Sequence, residues 1–212
     1  MIFRRQSDRA PLALLALLAA VFAWSAWHPH DWTTWALEAA PAVIGTAVLA
    51  ATYRRFRLTS LLYVLIFLHC AVLLIGAKYT YAEVPLFEWL KDAFELGRNN
   101  YDKVGHFAQG FVPAMIAREV IMRCRLSRGR FWPTLFSFAI CMTISAFYEI
   151  FEWFAAVALG EGADAFLGTQ GYEWDTQSDM LFCGIGAFCS LAFLSPLHDR
   201  SLRALRLLRW EA

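Results

Sequence analysis

The sequence predicts an all-α fold: a polytopic membrane helix bundle with about six transmembrane helices and both termini in the cytoplasm. Three observations predict it. Apolar residues make up 59% of the chain and charged residues only 17%, against about a quarter charged in soluble domains. Six apolar runs come close to the roughly 20 residues that a helix needs to cross a bilayer. Basic residues alternate from one side to the other in register with those runs.

The spans are expected near residues 11–27, 35–53, 60–77, 104–122, 132–159 and 178–197, within one domain over 1–212. The first follows Arg4, Arg5 and Arg9 and reads as an uncleaved anchor. A cleaved signal peptide is the alternative, with small residues at Ala23 and Ser25. Orientation follows from the resistance of Lys and Arg to translocation. Of 19 basic residues, 15 fall before span one, between spans two and three, around the end of span four and after span six. The opposite loops carry Glu83, Glu88, Asp92, Glu95, Asp102, Glu161, Asp164, Glu173 and Asp175. The basic side therefore reads as cytoplasm and the acidic side as periplasm.

Two segments read as interfacial helices. Residues 85–98 alternate Phe87, Leu90 and Phe94 with Glu88, Lys91, Asp92, Glu95 and Arg98 at helical period. Residues 199–210 are basic and leucine-rich, with Asp199 as N-cap, and suit an anionic leaflet. Loop 160–177 holds Gly160, Gly162, Gly168 and Gly171, which suggest tight turns. The expected partners are membrane lipids. A net charge of +1 argues against nucleic acid, and nothing in the sequence identifies a protein partner. The five cysteines form no CxxC pair, and no structural disulfide is expected. Trp24, Trp27, Trp32, Trp35, Trp89, Trp153 and Trp174 form an aromatic belt at the acidic side.

Ionisable residues inside spans are costly and mark candidate sites. Glu149 and Glu152 lie three apart near the acidic end of span five, with Ser145 on the same face. Asp102 and His106 open span four, and Asp175 and Asp179 open span six, each pair four residues apart. Three helices thus bring charges to one depth. Glycines 105 and 110, with Ser145, would let the backbones approach.

Three readings of this set compete. Asp102, His106, Glu149, Glu152, Asp175 and Asp179 would hold a divalent metal: Mg²⁺, Ca²⁺ or Mn²⁺, or with the histidine Zn²⁺ or Fe²⁺. No spacing matches a known metal motif. As a catalytic set, His106 is a base and Glu149 or Glu152 a general acid, with Asp179 beside them. The third reading is a structural polar network in which Lys103 pairs with a carboxylate. Transport would need ionisable groups near mid-membrane, where His69 is the candidate. His69 is otherwise expected to hydrogen-bond between helices. Glu38 and Pro41 read as a capped or kinked helix start, and Arg118 and Glu119 as residues snorkelling to the cytoplasm.

The run from Asp102 to Pro113, DKVGHFAQGFVP, resembles the YjdF-like bacterial inner-membrane family, a domain of unknown function. So do residues 79–85 (YTYAEVP), 147–153 (FYEIFEW), 168–171 (GTQG) and 174–180 (WDTQSDM). The resemblance covers most of the chain from about residue 60. It implies a multi-pass inner-membrane location and supplies no activity. A more distant likeness is to VanZ-like membrane proteins. Asp102, Lys103, His106 and Phe107, then Glu149 or Glu152, then Asp179 with Gly186 and Ala187 follow that pattern. The longer loop before the last span and residues 174–177 depart from it. This likeness implies an envelope or lipid-linked role.

Overall fold

The computed structural model describes residues 8–159 and 170–205. Helices α1 (Arg9–Ser25), α2 (Trp32–Thr52), α3 (Ser60–Tyr79), α4 (Pro85–Ala93), α5 (Tyr101–Arg123), α6 (Phe131–Leu159), α7 (Asp175–Cys189) and α8 (Ser195–Ala204) follow in order, with a 3₁₀ turn over Tyr81–Glu83. No strand occurs among the described residues. A π turn, Ser190–Leu194, joins α7 to α8 in one rod. Pro196 explains the wide turn, because it has no N–H to return to the carbonyl four residues back.

Helices α2, α3 and α6 and the α7–α8 rod are long and apolar enough to cross a membrane. Helix α1 is apolar but shorter, at 17 residues. Helix α5 has 23 residues, about 34 Å at 1.5 Å each, yet is much more polar. Its position accounts for this. It packs against α3, α6 and α7, so its polar groups meet protein rather than lipid.

Contacts set the directions. Tyr53 at the end of α2 donates to Asp8 before α1. Ser25 at the end of α1 donates to the Leu74 carbonyl near the end of α3. Thr59 before α3 binds Glu119 near the end of α5. Helices α5 and α7 run parallel and touch along their backbones. A Cβ on Gly110 would sit 1.8 Å from the Cys183 carbonyl oxygen, and one on Gly186 2.0 Å from that of Phe107. Gly110 thus has the expected role. Gly105 does not: with Gly76 it makes a slot for the Tyr81 ring. All five cysteines are free.

Three local expectations are corrected. Arg118 and Glu119 do not snorkel, being 3% and 0% exposed. Partners from α8 and from the start of α3 meet them inside the bundle: Asp199 accepts from Arg118 at 2.7 Å, and His198 donates to Glu119 at 2.9 Å. Asp199 is therefore not an N-cap but a buried residue within α8. The interfacial helix expected over 85–98 stops at Ala93, and Arg98 turns inward. Lys91 of α4 and Asn99 beyond it hydrogen-bond Glu88 and hold its carboxyl below the usual range. Residues 206–210 of the expected tail helix, and Gly160, Gly162 and Gly168, lie outside the described residues.

Candidate functional site

The charged residues that open α5 and α7 meet in one layer. Acidic residues suit a helix's first turn, where free N–H groups leave partial positive charge. Asp102 and Asp175 occupy those turns. Lys103 reaches between the helices to Asp175 at 2.8 Å, Asp179 at 2.7 Å and Asp102 at 3.1 Å. Arg98 bridges Asp175 at 2.5 Å and also pairs with Asp102. Its guanidinium and the Lys103 ammonium both lie over the Tyr172 ring. Asn99 and Gln170 exchange two hydrogen bonds, of 2.9 and 2.8 Å, which fasten the approach to α7 onto the start of α5. Arg98 was not singled out in the sequence, because it reads as part of the charged face of α4.

One turn deeper, His106 faces Asp179 and Glu149. Its Nε2 lies 3.6 Å from Asp179 Oδ2 and its Nδ1 3.8 Å from Glu149 Oε1, with Gln109 Oε1 3.1 Å from Nδ1. One ligand atom each from His106, Glu149 and Asp179 falls within 4.8 Å of the others, and the same holds for Asp102, Asp175 and Asp179. The two groups differ in what already occupies them. Asp102 and Asp175 are each paired with both Arg98 and Lys103. Glu149 is 8% exposed, and its Oε1 has no hydrogen-bond partner among the described residues. Glu152 belongs to neither compact group.

Glu152 instead lines a cavity of about 190 Å³ whose walls include His106, Asp102 and Asp179 as well as Glu38 of α2, His69 of α3, Tyr81 and Tyr148. Asp31, not Glu38, caps α2, accepting from the Thr34 N–H at 2.7 Å. Glu38 faces the cavity too, 4% exposed, beside the buried Asp102 and Asp179, and neither of its oxygens has a hydrogen-bond partner among the described residues. His69 does not hydrogen-bond between helices as expected: its buried Nε2 has no such partner either. Nothing local to residues 35–41 indicated that Glu38 would meet helices five and six.

The balance of charge decides what this arrangement can hold. Glu38, Asp102, Glu149, Glu152, Asp175 and Asp179 meet two permanent cations, Arg98 and Lys103, and both cations are spent on the aspartates. Burying the remaining carboxylates unpaired is costly, so cations or protons must accompany them.

A comparison with protein families matches residues 10–200 to one described as predicted membrane protein (DUF2238). The chain is 49% identical over 174 residues to the inner membrane protein YjdF of Escherichia coli (strain K12), covering 82% of this chain and 83% of the relative. No solved structure matches. An inner-membrane location follows for a chain with several helices apolar enough to span. The chain belongs to the DUF2238 family of predicted membrane proteins.

Proposed function

We propose that the chain crosses the inner membrane six times with both termini in the cytoplasm. On this reading the acidic end faces the periplasm. There His106, Glu149 and Asp179 hold a divalent cation and present it to a lipid-linked or envelope component at the outer leaflet.

The observation that carries the cation is the open valence of this group. Three side chains from three helices converge within 4.8 Å, and one, Glu149, keeps an unpartnered carboxylate oxygen at 8% exposure. Bonds of about 2.0–2.2 Å would draw these atoms closer by small side-chain movements. Three protein ligands leave coordination positions for a substrate oxygen, where a cation acts as a Lewis acid. Asp102 and Asp175 have a structural part, fixing Lys103 and Arg98 and so the spacing of α5 and α7. The lipid-linked or envelope component is suggested by the distant resemblance of residues 102–107 and 179 to VanZ-like proteins, which rests on the sequence alone. A second reading is a shared proton among the three groups, for which the 3.6 and 3.8 Å spacings around His106, just beyond hydrogen-bond length, would have to close.

Metal analysis of the purified chain, loaded in turn with Mn²⁺ and Zn²⁺ and desalted, tests the proposal. About one equivalent per chain is expected, falling to background in His106→Ala and Glu149→Gln variants that keep their helical circular dichroism. Background metal in the unsubstituted chain would sink the cation and leave the shared proton.

A further inference from the structure

The cavity bordered by His106 and Asp179, but not by Glu149, extends to groups that the proposed cation does not use. Glu38 and Glu152 enter it from α2 and α6, and the rings of Tyr81 and Tyr148 stand with them. The Tyr81 ring is fixed in place. A Cβ on Gly76 would lie 2.4 Å from it and one on Gly105 2.8 Å, so both helices give up a side chain to admit it. Tyr148 packs edge-on against His106, with ring centroids 6.2 Å apart. Neither Glu38 oxygen has a hydrogen-bond partner of normal geometry among the described residues, the Tyr81 backbone N–H only approaching it, although Glu38 is 4% exposed. Arg98 and Lys103, the permanent cations of the neighbouring layer, are engaged with the aspartates.

We propose that this cavity is a subsite for an ammonium group, held between the carboxylates of Glu38 and Glu152 and against the rings of Tyr81 and Tyr148. Carboxylates supply the counter-charge and accept the N–H bonds. Tyrosine faces add the attraction of a ring quadrupole for a cation, which is worth most where water is excluded. A metal ion has no use for the two rings, and a lone proton has no use for the space. The volume of about 190 Å³ equals about six waters at roughly 30 Å³ each, enough for an ethanolamine-sized group. The ammonium is that of an aminophospholipid headgroup or of a free small amine. Helix α2 packs mainly on α3, and α6 on α5 and α7, and both helices contribute to the walls of the cavity.

Isothermal titration of the full chain in detergent, at matched ionic strength, tests the subsite. Ethanolamine is expected to bind saturably and its neutral isostere ethylene glycol not at all. Glu38→Gln and Glu152→Gln should each weaken ethanolamine at least tenfold. Glu149→Gln, which removes a ligand of the proposed cation, should leave ethanolamine binding within a few-fold. Failure of the metal site and failure of this subsite are therefore separable. Repeating the titration in nanodiscs distinguishes the sources. Loss of the ethanolamine signal in phosphatidylethanolamine discs, but not in phosphatidylglycerol discs, assigns the ammonium to lipid. Retention in both assigns it to a free amine. Three results would overturn the subsite: no saturable ethanolamine binding, unchanged affinity in both Gln variants, or equal affinity for Na⁺.

Discussion

Gly110→Ala tests the contact on which the site depends. The added Cβ would lie 1.8 Å from the Cys183 carbonyl oxygen and 2.8 Å from the Ala187 nitrogen. Both neighbours are backbone, so no rotamer change relieves the clash. A carbon–oxygen contact settles near 3.3 Å, so α5 and α7 must part locally by about 1.5 Å. Asp179 lies one turn from Cys183 on α7, and Lys103 and His106 lie within two turns of Gly110 on α5. The shift would stretch the Lys103–Asp179 bond from 2.7 Å and the His106–Asp179 approach from 3.6 Å. Overpacking of this kind costs about 1–3 kcal/mol. At roughly 2–4 °C per kcal/mol for a chain of this size, the apparent Tm should fall by about 2–12 °C. Metal occupancy should fall with it. Gly45→Ala is the control, because nothing lies within 4 Å of its Cβ position, and it should be neutral or slightly stabilising. The assay is differential scanning fluorimetry of the purified variants beside metal analysis. If Gly110→Ala melts and binds metal as the unsubstituted chain does, α5 and α7 do not meet as described.

Lys103→Met should be destabilising by about 3–5 kcal/mol, the scale for leaving a buried charge partner uncompensated, and should lower both abundance and Tm. Unchanged stability would mean that the aspartates around Lys103 are not ionised, and the charge argument for a bound cation would fail. Reporter fusions after Arg57 and Arg128 should report cytoplasm, and fusions after Asp31 and Asp92 periplasm. A cytoplasmic signal at Asp92 would reverse the proposed orientation.

Periodicity and charge made the helices legible. Helices α1, α2, α3, α5, α6 and α7 begin within three residues of the expected spans, because apolar length is a local property. Within the candidate site, the carboxylates spaced three or four apart were legible for the same reason. What the sequence hid was set by distant partners. Arg118 and Glu119 stand beside Arg123 at a span end and look solvated, yet His198 and Asp199 arrive from about 80 residues away to bury them. Glu38 and Tyr81 form no periodic charged pair, since Tyr81 reaches the cavity alone from its 3₁₀ turn and Glu38 has only Pro41 with it on α2. Arg98 looked like one more charge on an amphipathic helix until the helix ended five residues before it.

The two ends of α5 provide an internal control on the site. Both carry charge against the α7–α8 rod, and the basic end pairs every carboxylate oxygen of Glu119 and Asp199, although Arg118 Nε has no hydrogen-bond partner among the described residues. Glu119 accepts from the Thr59 N–H and hydroxyl, from Arg123 and from His198. Asp199 accepts from Arg118 and Arg130. An arginine can only donate, so His198 Nδ1 accepts from Arg118, and Nε2 carries the proton given to Glu119. This chain therefore pairs buried charge where pairing is all that is needed. At the acidic end Glu149 Oε1, both Glu38 oxygens and His69 Nε2 are left without hydrogen-bond partners among the described residues. A purely structural network would gain by pairing these carboxylates, as the other end of the same helix pairs Glu119 and Asp199. The asymmetry marks the acidic end as the one arranged to receive something else.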